Sequence, residues 1–158
     1  MSMNRIALFP GSFDPFTKGH LDIAVRATEI FDEVVIGVGN NQAKQRFYPV
    51  DNMVDQINDL FDSKDHIRAE SYTGLTAKFA EKLGAKFLVR GLRNTTDFEY
   101  ENSIAQANRS VFQDLETVFI ITTPKYAHIS STIIRELLRF GQQVDDFLPY
   151  KINPADFQ

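Results

Sequence analysis

Cysteine is absent from the 158-residue chain, which excludes disulfides, zinc–thiolate centres and thiol chemistry. Long apolar runs are missing too. Stretches such as "VFII" and "VVIGV" are far too short to span a bilayer. No basic segment followed by an apolar core opens the chain, so no secretory signal is read and no membrane partner is expected. Excess positive charge is also lacking. A net charge of −4 argues against a protein that coats nucleic acid, while leaving room for a local basic pocket. These absences fit a cytoplasmic protein, and the length fits one domain, residues 1–158, with a sizeable core.

What is present is an alternation. Short continuous apolar runs at Arg5–Phe9, Glu33–Val38, Ile67–Ser71, Lys86–Arg90 and Thr117–Thr122 predict strands covered on both faces. Between them, helical periodicity predicts helices at roughly Lys18–Phe31, Asp51–Phe61, Leu75–Leu83, Asp97–Phe112 and Ser131–Phe140. In the first helix, Leu21, Ala24, Val25, Thr28 and Phe31 share an apolar face. Gly84 and Gly141 stand where helix C-caps belong. The pattern reads as an α/β fold: a Rossmann-like, doubly wound, five-stranded parallel sheet with helices on both faces.

Ligands of such sheets bind beyond the carboxyl ends of the strands, where strand order reverses. The segments following the strands are therefore the informative ones. They are "PGSFDPFTKGH", "NNQAKQRF", "YTGLTAKF", "RGLRNTTDFEYE" and "PKYAHISSTIIRE". Lys18, Lys44, Arg46, Arg90, Arg93 and Lys125 concentrate there, as a polyanionic small ligand such as a nucleotide would require.

In the first segment Thr17 is a candidate N-cap, which puts Lys18, Gly19 and His20 in a first helical turn. Free amides and the positive helix end favour an anion there and disfavour a protonated imidazole. His20 is then a neutral donor able to stabilise charge on a transferring phosphoryl oxygen. Gly11 and Ser12 supply a tight turn and a hydroxyl. The alternative stands beside this reading: Thr17 and Gly19 as helix-entry punctuation, and His20 as a surface residue. Asp14 fits stabilisation of the turn better than metal binding.

In "VRGLR", Arg90 and Arg93 flank a glycine after a buried strand, and two guanidinium forks grip phosphates bidentately. Asp97, Glu99 and Glu101 need no role beyond pairing with a helix dipole. One of Ser130, Ser131 and Thr132 must be an N-cap, and the three together also make a phosphate seat. His128 and His66 show no catalytic pattern. Lys44 exceeds an ordinary solvated lysine only because its loop belongs to the same sheet edge. No histidine pair or carboxylate cluster suggests a dedicated metal cage, whereas Mg²⁺ carried by a nucleotide needs few protein contacts.

Thr17-Lys18-Gly19-His20, with "PGSFDP", "VRGLR", "DFEYE", "ANR" and "ISST" in order and spacing, resembles the phosphopantetheine adenylyltransferase family. That family lies within the nucleotidyltransferases marked by a (H/T)xGH motif. The likeness runs from Ile6 to about Pro149. It implies that ATP, with Mg²⁺, and 4′-phosphopantetheine give dephospho-coenzyme A and pyrophosphate by direct attack on the α-phosphorus. It further implies that His20 contacts the α-phosphate and that Ser12 and Phe13 lie at the substrate junction. Lys44 and Arg90 would bind the acceptor phosphate, and Thr76 would line the pantetheine channel. Gly91, Leu92, Arg93 and Glu101 would line the ATP site, with Tyr126, Ala127, His128, Ile129, Ser130, Ser131 and Thr132 holding nucleotide. His20, Lys44, Arg93 and Ser12 form the implied catalytic group. A homohexamer and feedback inhibition by coenzyme A are implied as well.

Departures from the family pattern are Ser12 for a common threonine, Thr76 for a common apolar residue, "YAHISST" for "YSFISSS", and the short tail containing Asn153-Pro154. Rival readings are an adenylyltransferase for nicotinamide mononucleotide, a cytidylyltransferase for a phospho-alcohol, and a non-catalytic nucleotide-binding module on the same fold. Class I tRNA synthetases share the HxGH-type turn, but they are larger and use a lysine-rich loop where this chain has "ISSTI".

Overall fold

A computed structural model describes residues 4–152; the expected departure at Asn153-Pro154 lies outside them. Five strands form one sheet: β1 (Ile6–Gly11), β2 (Glu33–Gly39), β3 (Ile67–Tyr72), β4 (Phe87–Leu92) and β5 (Glu116–Ile121). All pairings are parallel, in the order β3-β2-β1-β4-β5. The helices between and after them are α1 (Lys18–Ala27), α2 (Val50–Leu60), α3 (Thr76–Leu83), α4 (Thr95–Val111) and α5 (Ser131–Arg139).

Alternation along the strands sends side chains to two layers. Ala7 and Phe9 of β1 join Val34, Ile36 and Val38 of β2 under α1 and α2, where Ile23, Ala24, Ala27, Met53 and Ile57 are buried. Leu8, Val35 and Leu88 point to the other face, against Ala77, Phe79 and Ala80 of α3. The central strands β1 and β2 are therefore apolar on both sides, the physical reason their sequences run apolar. β3, at the sheet edge, alternates instead, with Arg68 and Glu70 ion-paired on its open face. Gly84, the left-handed C-cap of α3, and Gly141, just beyond α5, end their helices at φ 70 and 69°.

Most boundaries shift from the sequence reading by a residue or two, and three of the shifts have a local reason. α1 stops at Ala27 because the chain turns there, with Thr28 as its C-cap, so Thr28 and Phe31 leave the helical face. β4 continues past Arg90 through Gly91 and Leu92, which pair with Ile120 and Ile121. α4 starts at Thr95 because the Asn94 side chain accepts from the Asp97 backbone N–H at 2.9 Å.

The sheet itself makes the crevice. β1 and β2 pair from Ile6–Glu33 to Gly11–Val38, but β1 and β4 pair only at Ala7–Phe87 and Leu8–Leu88. Beyond those rungs the two strands splay, and strand order reverses at the same place. The chain leaving β1 bends through Phe13, a buried non-glycine residue at φ 44°, a conformation bulky side chains rarely adopt. Its ring lies edge-on to Phe9 and His20 at 5.2 and 5.0 Å. A methyl at Gly11 would stand 2.8 Å from that ring, so this position requires glycine.

Candidate active site

Two cavities open beyond the splayed strands. The larger, about 760 Å³, runs from Ser12 and Lys44 to Thr76, Ile104 and Phe112. The smaller, about 370 Å³, is lined by His20, Arg93, Asp97, Tyr126 and the Ile129–Thr132 segment, among others. Pro10, Gly11, Ser12, Arg90 and Glu101 line both. One wall thus separates two adjoining binding spaces.

The smaller cavity begins at the N-terminus of α1. Thr17 caps the helix by accepting from the His20 backbone N–H at 3.2 Å, and the Thr17 backbone N–H donates to His20 Nδ1 at 3.0 Å. Because Nδ1 accepts, the proton of the neutral ring belongs on Nε2, an assignment that follows from the hydrogen-bond network. Burial, then the nearby charges of Arg90 and Arg93, push the His20 imidazole down to about 3. The neutrality expected from the helix end is therefore present, with burial as its first cause. Thr17 is the helix-entry cap of the alternative reading, while His20 is half-buried rather than exposed and lines the cavity.

Both arginines of "RGLR" reach the cavities already held by carboxylates of α4. Arg90 donates from Nε and Nη2 to Glu101 Oε2 and Oε1 at 2.8 and 2.5 Å, and from Nη1 to the Pro10 carbonyl. That last bond bridges the gap where β1 and β4 part. Arg93 donates from Nε and Nη2 to Asp97 at 3.0 and 3.1 Å. Each guanidinium keeps donors beyond those its carboxylate takes. Glu101 is buried in the second turn of α4, so its role as a dipole partner is corrected: it pairs with Arg90 and orients it.

Ser12 is exposed at the junction and lines both cavities. Phe13 lines the smaller one, its ring packed on His20. Lys44 is exposed on the wall of the larger cavity and makes no ion pair among the described residues. Arg46, counted from sequence among the ligand cations, instead donates to the carbonyls of Tyr48, Gly39 and Phe13. Asp14 accepts from the Phe47 and Tyr48 backbone N–H groups at 2.9 and 2.7 Å, so it fastens the loop after β2 to the turn after β1. Ser130 is the N-cap of α5, Ser131 donates to the Pro15 carbonyl at 2.7 Å, and both line the smaller cavity with Thr132. Tyr126, Ile129 and Gly91 line it as well.

The structure brings most sequence-derived candidates together, with exceptions. Leu92, Ala127 and His128 do not line either large cavity. His128 is exposed and packs edge-on against Phe147 at 6.1 Å. Residues missed from sequence are Asp97 as the partner of Arg93, Tyr72 at the end of β3, and Ile104, Ala105, Asn108 and Phe112 on α4. Their signals were the i,i+4 spacing of Arg93, Asp97 and Glu101, and the helical spacing from Glu101 to Phe112.

A cytidylyltransferase-like family model matches residues 8–137. A phosphopantetheine adenylyltransferase of Cytophaga hutchinsonii is 54% identical over 150 residues, covering 95% of this chain and 100% of that protein. One from Phocaeicola vulgatus is 46% identical over 145 residues, covering 92% and 95%. Among solved structures, a Vibrio parahaemolyticus protein assigned as a nicotinate-nucleotide adenylyltransferase superposes with a TM-score of 0.65 at 18% identity. It covers 94% of this chain and 95% of that one, a likeness of fold alone. Identities of this size, sustained along nearly the whole sequence, place the chain in the phosphopantetheine adenylyltransferase family, nucleotidyltransferases with a cytidylyltransferase-like domain.

Proposed function

We propose that the chain transfers the adenylyl group of ATP to 4′-phosphopantetheine, giving dephospho-coenzyme A and pyrophosphate in coenzyme A synthesis. The carrying observation is the shared wall. Two cavities meet at Gly11, Ser12, Arg90 and Glu101, so two phosphorylated ligands would present their phosphates to one another there. ATP would occupy the smaller space and the pantetheine arm the larger.

The acceptor phosphate is already an anionic nucleophile near neutral pH, so its direct in-line attack on the α-phosphorus needs no general base and no covalent intermediate. His20, held neutral with its proton on Nε2, would donate to the α-phosphate as charge grows on it. Arg93 would support the nucleotide phosphates, and the Ser12 hydroxyl would sit between the two ligands. Lys44 and the remaining donors of Arg90 would hold the acceptor phosphate, with Thr76 along the arm. Gly91, Glu101, Tyr126 and Ile129–Thr132 would enclose the nucleotide. Leu92, Ala127 and His128 would act only from behind that lining.

Mg²⁺ would enter with ATP and balance the charge of its phosphates. Such an ion would be held chiefly by the triphosphate and needs only one or two protein contacts. Coenzyme A joins adenosine and the pantetheine arm in one molecule, so it would fill both cavities as a feedback inhibitor. A homohexamer would bury apolar surface between copies, and α4, a 17-residue helix in which only Glu101 is buried, leaves Phe98, Tyr100 and Val111 exposed. A cytoplasmic location accords with the substrates, and among the described residues no helix is long and apolar enough to cross a membrane.

The test supplies ATP, Mg²⁺ and 4′-phosphopantetheine and measures pyrophosphate with dephospho-coenzyme A. Turnover is expected on this acceptor. Turnover only on nicotinamide mononucleotide, or only with CTP and a phospho-alcohol, would reject the assignment.

A further inference from the structure

The end of β3 carries a phenol that the reaction above does not use. Tyr72 lines the larger cavity, and its ring is stacked on Phe79 with centroids 4.6 Å apart and planes 6° from parallel. A glycine on β2 makes room for it: a methyl at Gly37 would lie 3.1 Å from the Tyr72 ring. The phenol is therefore positioned by two strands and a stacked ring.

Its oxygen lies 2.8 Å from Thr76 Oγ1. Thr76 is the first residue of α3 and lines the same cavity; the N-cap position belongs to Leu75, which makes no side-chain cap. Neither hydroxyl has another hydrogen-bond partner among the described residues. One O–H joins the two oxygens, so the second O–H and several lone pairs remain for a ligand. The neighbouring wall is largely apolar, with Leu75, Ala77 and Ile104. Isolated polar points on an apolar wall fix the orientation of a ligand rather than its bulk affinity.

A donor beside acceptors matches an amide, which offers both N–H and C=O. A phosphate would instead seek Lys44 and Arg90, elsewhere on the lining. We propose that the Tyr72–Thr76 hydroxyl pair is a specificity-determining contact for an amide of the acceptor's arm. The inference rests on the acceptor reading above and deepens it, because 4′-phosphopantetheine carries amides beyond its phosphate.

The test compares the full chain with Tyr72→Phe, Thr76→Val, the double variant and Thr76→Ser, after thermal unfolding shows each is folded. Calorimetry gives Kd for 4′-phosphopantetheine and for ATP, and steady-state kinetics gives KM and kcat. Each hydroxyl deletion is expected to weaken acceptor binding by about three- to tenfold. Affinity for ATP should stay within about twofold, with kcat held, because the lost contact is made equally in ground and transition states. The double variant should be no worse than the larger single effect, and Thr76→Ser should restore binding. Unchanged acceptor affinity in the deletions, an equal loss for ATP, or failure of Thr76→Ser to restore binding would each overturn the inference. An active parent chain with unchanged variants defeats this inference alone. A parent chain that makes no dephospho-coenzyme A defeats the acceptor reading, and the inference with it.

Discussion

The two cavities share a wall but are built differently. In the smaller one, polar groups are fixed before any ligand arrives, Arg93 by Asp97 and the neutral His20 by the Thr17 backbone, while Arg90 is held by Glu101 on the wall both cavities share. Beyond that shared wall in the larger one, Lys44 is exposed and makes no ion pair among the described residues, and the lining combines apolar residues with a pair of hydroxyls. Charge developing in a transition state is best met by dipoles that need no reorganisation, so the rigid space suits the chemistry. The other space suits selection of an acceptor, where each contact adds ground-state affinity.

The largest test of that division is His20→Ala. Turnover should fall by about 10²- to 10³-fold, as when one donor to a developing oxyanion is removed, while ATP affinity measured by calorimetry changes little. Lost ATP affinity with preserved turnover would reject the transition-state role and break the contrast between the cavities.

The shared wall gives the next test. Glu101→Ala leaves the Arg90 guanidinium, only partly exposed, without its bidentate partner. Stability to urea should drop by about 1–3 kcal/mol, less than for a fully buried pair, and KM should rise for both ATP and the acceptor. Asp97→Ala, whose carboxylate faces the smaller cavity alone, should raise only the ATP value. Equal behaviour of the two variants would show that the wall is not shared in function.

Acid should report the same preorganisation. His20 titrates near 3 in the folded chain and near its ordinary 6.5 when unfolded. Between those values the unfolded state binds the extra proton, so stability falls as pH falls from about 6.5 towards 3 and is flat above. The expected slope reaches at most about 1.4 kcal/mol per pH unit. Urea midpoints at pH 7, 6 and 5 should show it, and His20→Gln should remove its share. A slope unchanged in that variant would assign the acid loss to other groups.

Much of this arrangement was legible in the residues. Continuous apolar strands, Thr17 before a helix and glycine beside Arg90 follow from local rules, and each led to the same sheet edge. Pairing across space was less legible. Arg46 reads as a ligand cation, yet it serves three carbonyls of its own fold, because those carbonyls come from turns that meet only in the folded chain. Glu101 reads as helix-end charge because nothing local reveals that α4 folds back beside β4 and sets Glu101 against Arg90. Tyr72 opens the segment after the third strand without a pattern of its own, since its link to Thr76 depends on the turn between β3 and α3.

The smallest expected effect belongs to the least fixed group. Lys44→Ala should raise KM for 4′-phosphopantetheine by about tenfold, the scale of one charge-assisted phosphate contact. The KM for ATP and the unfolding midpoint should hold, because Lys44 is exposed and makes no ion pair among the described residues. Added salt should narrow the gap between parent and variant, since an exposed cation acts through a screened field. A gap independent of salt would mean that Lys44 is drawn out of water when the acceptor binds. The larger cavity would then become as preorganised in the complex as the smaller one is before it.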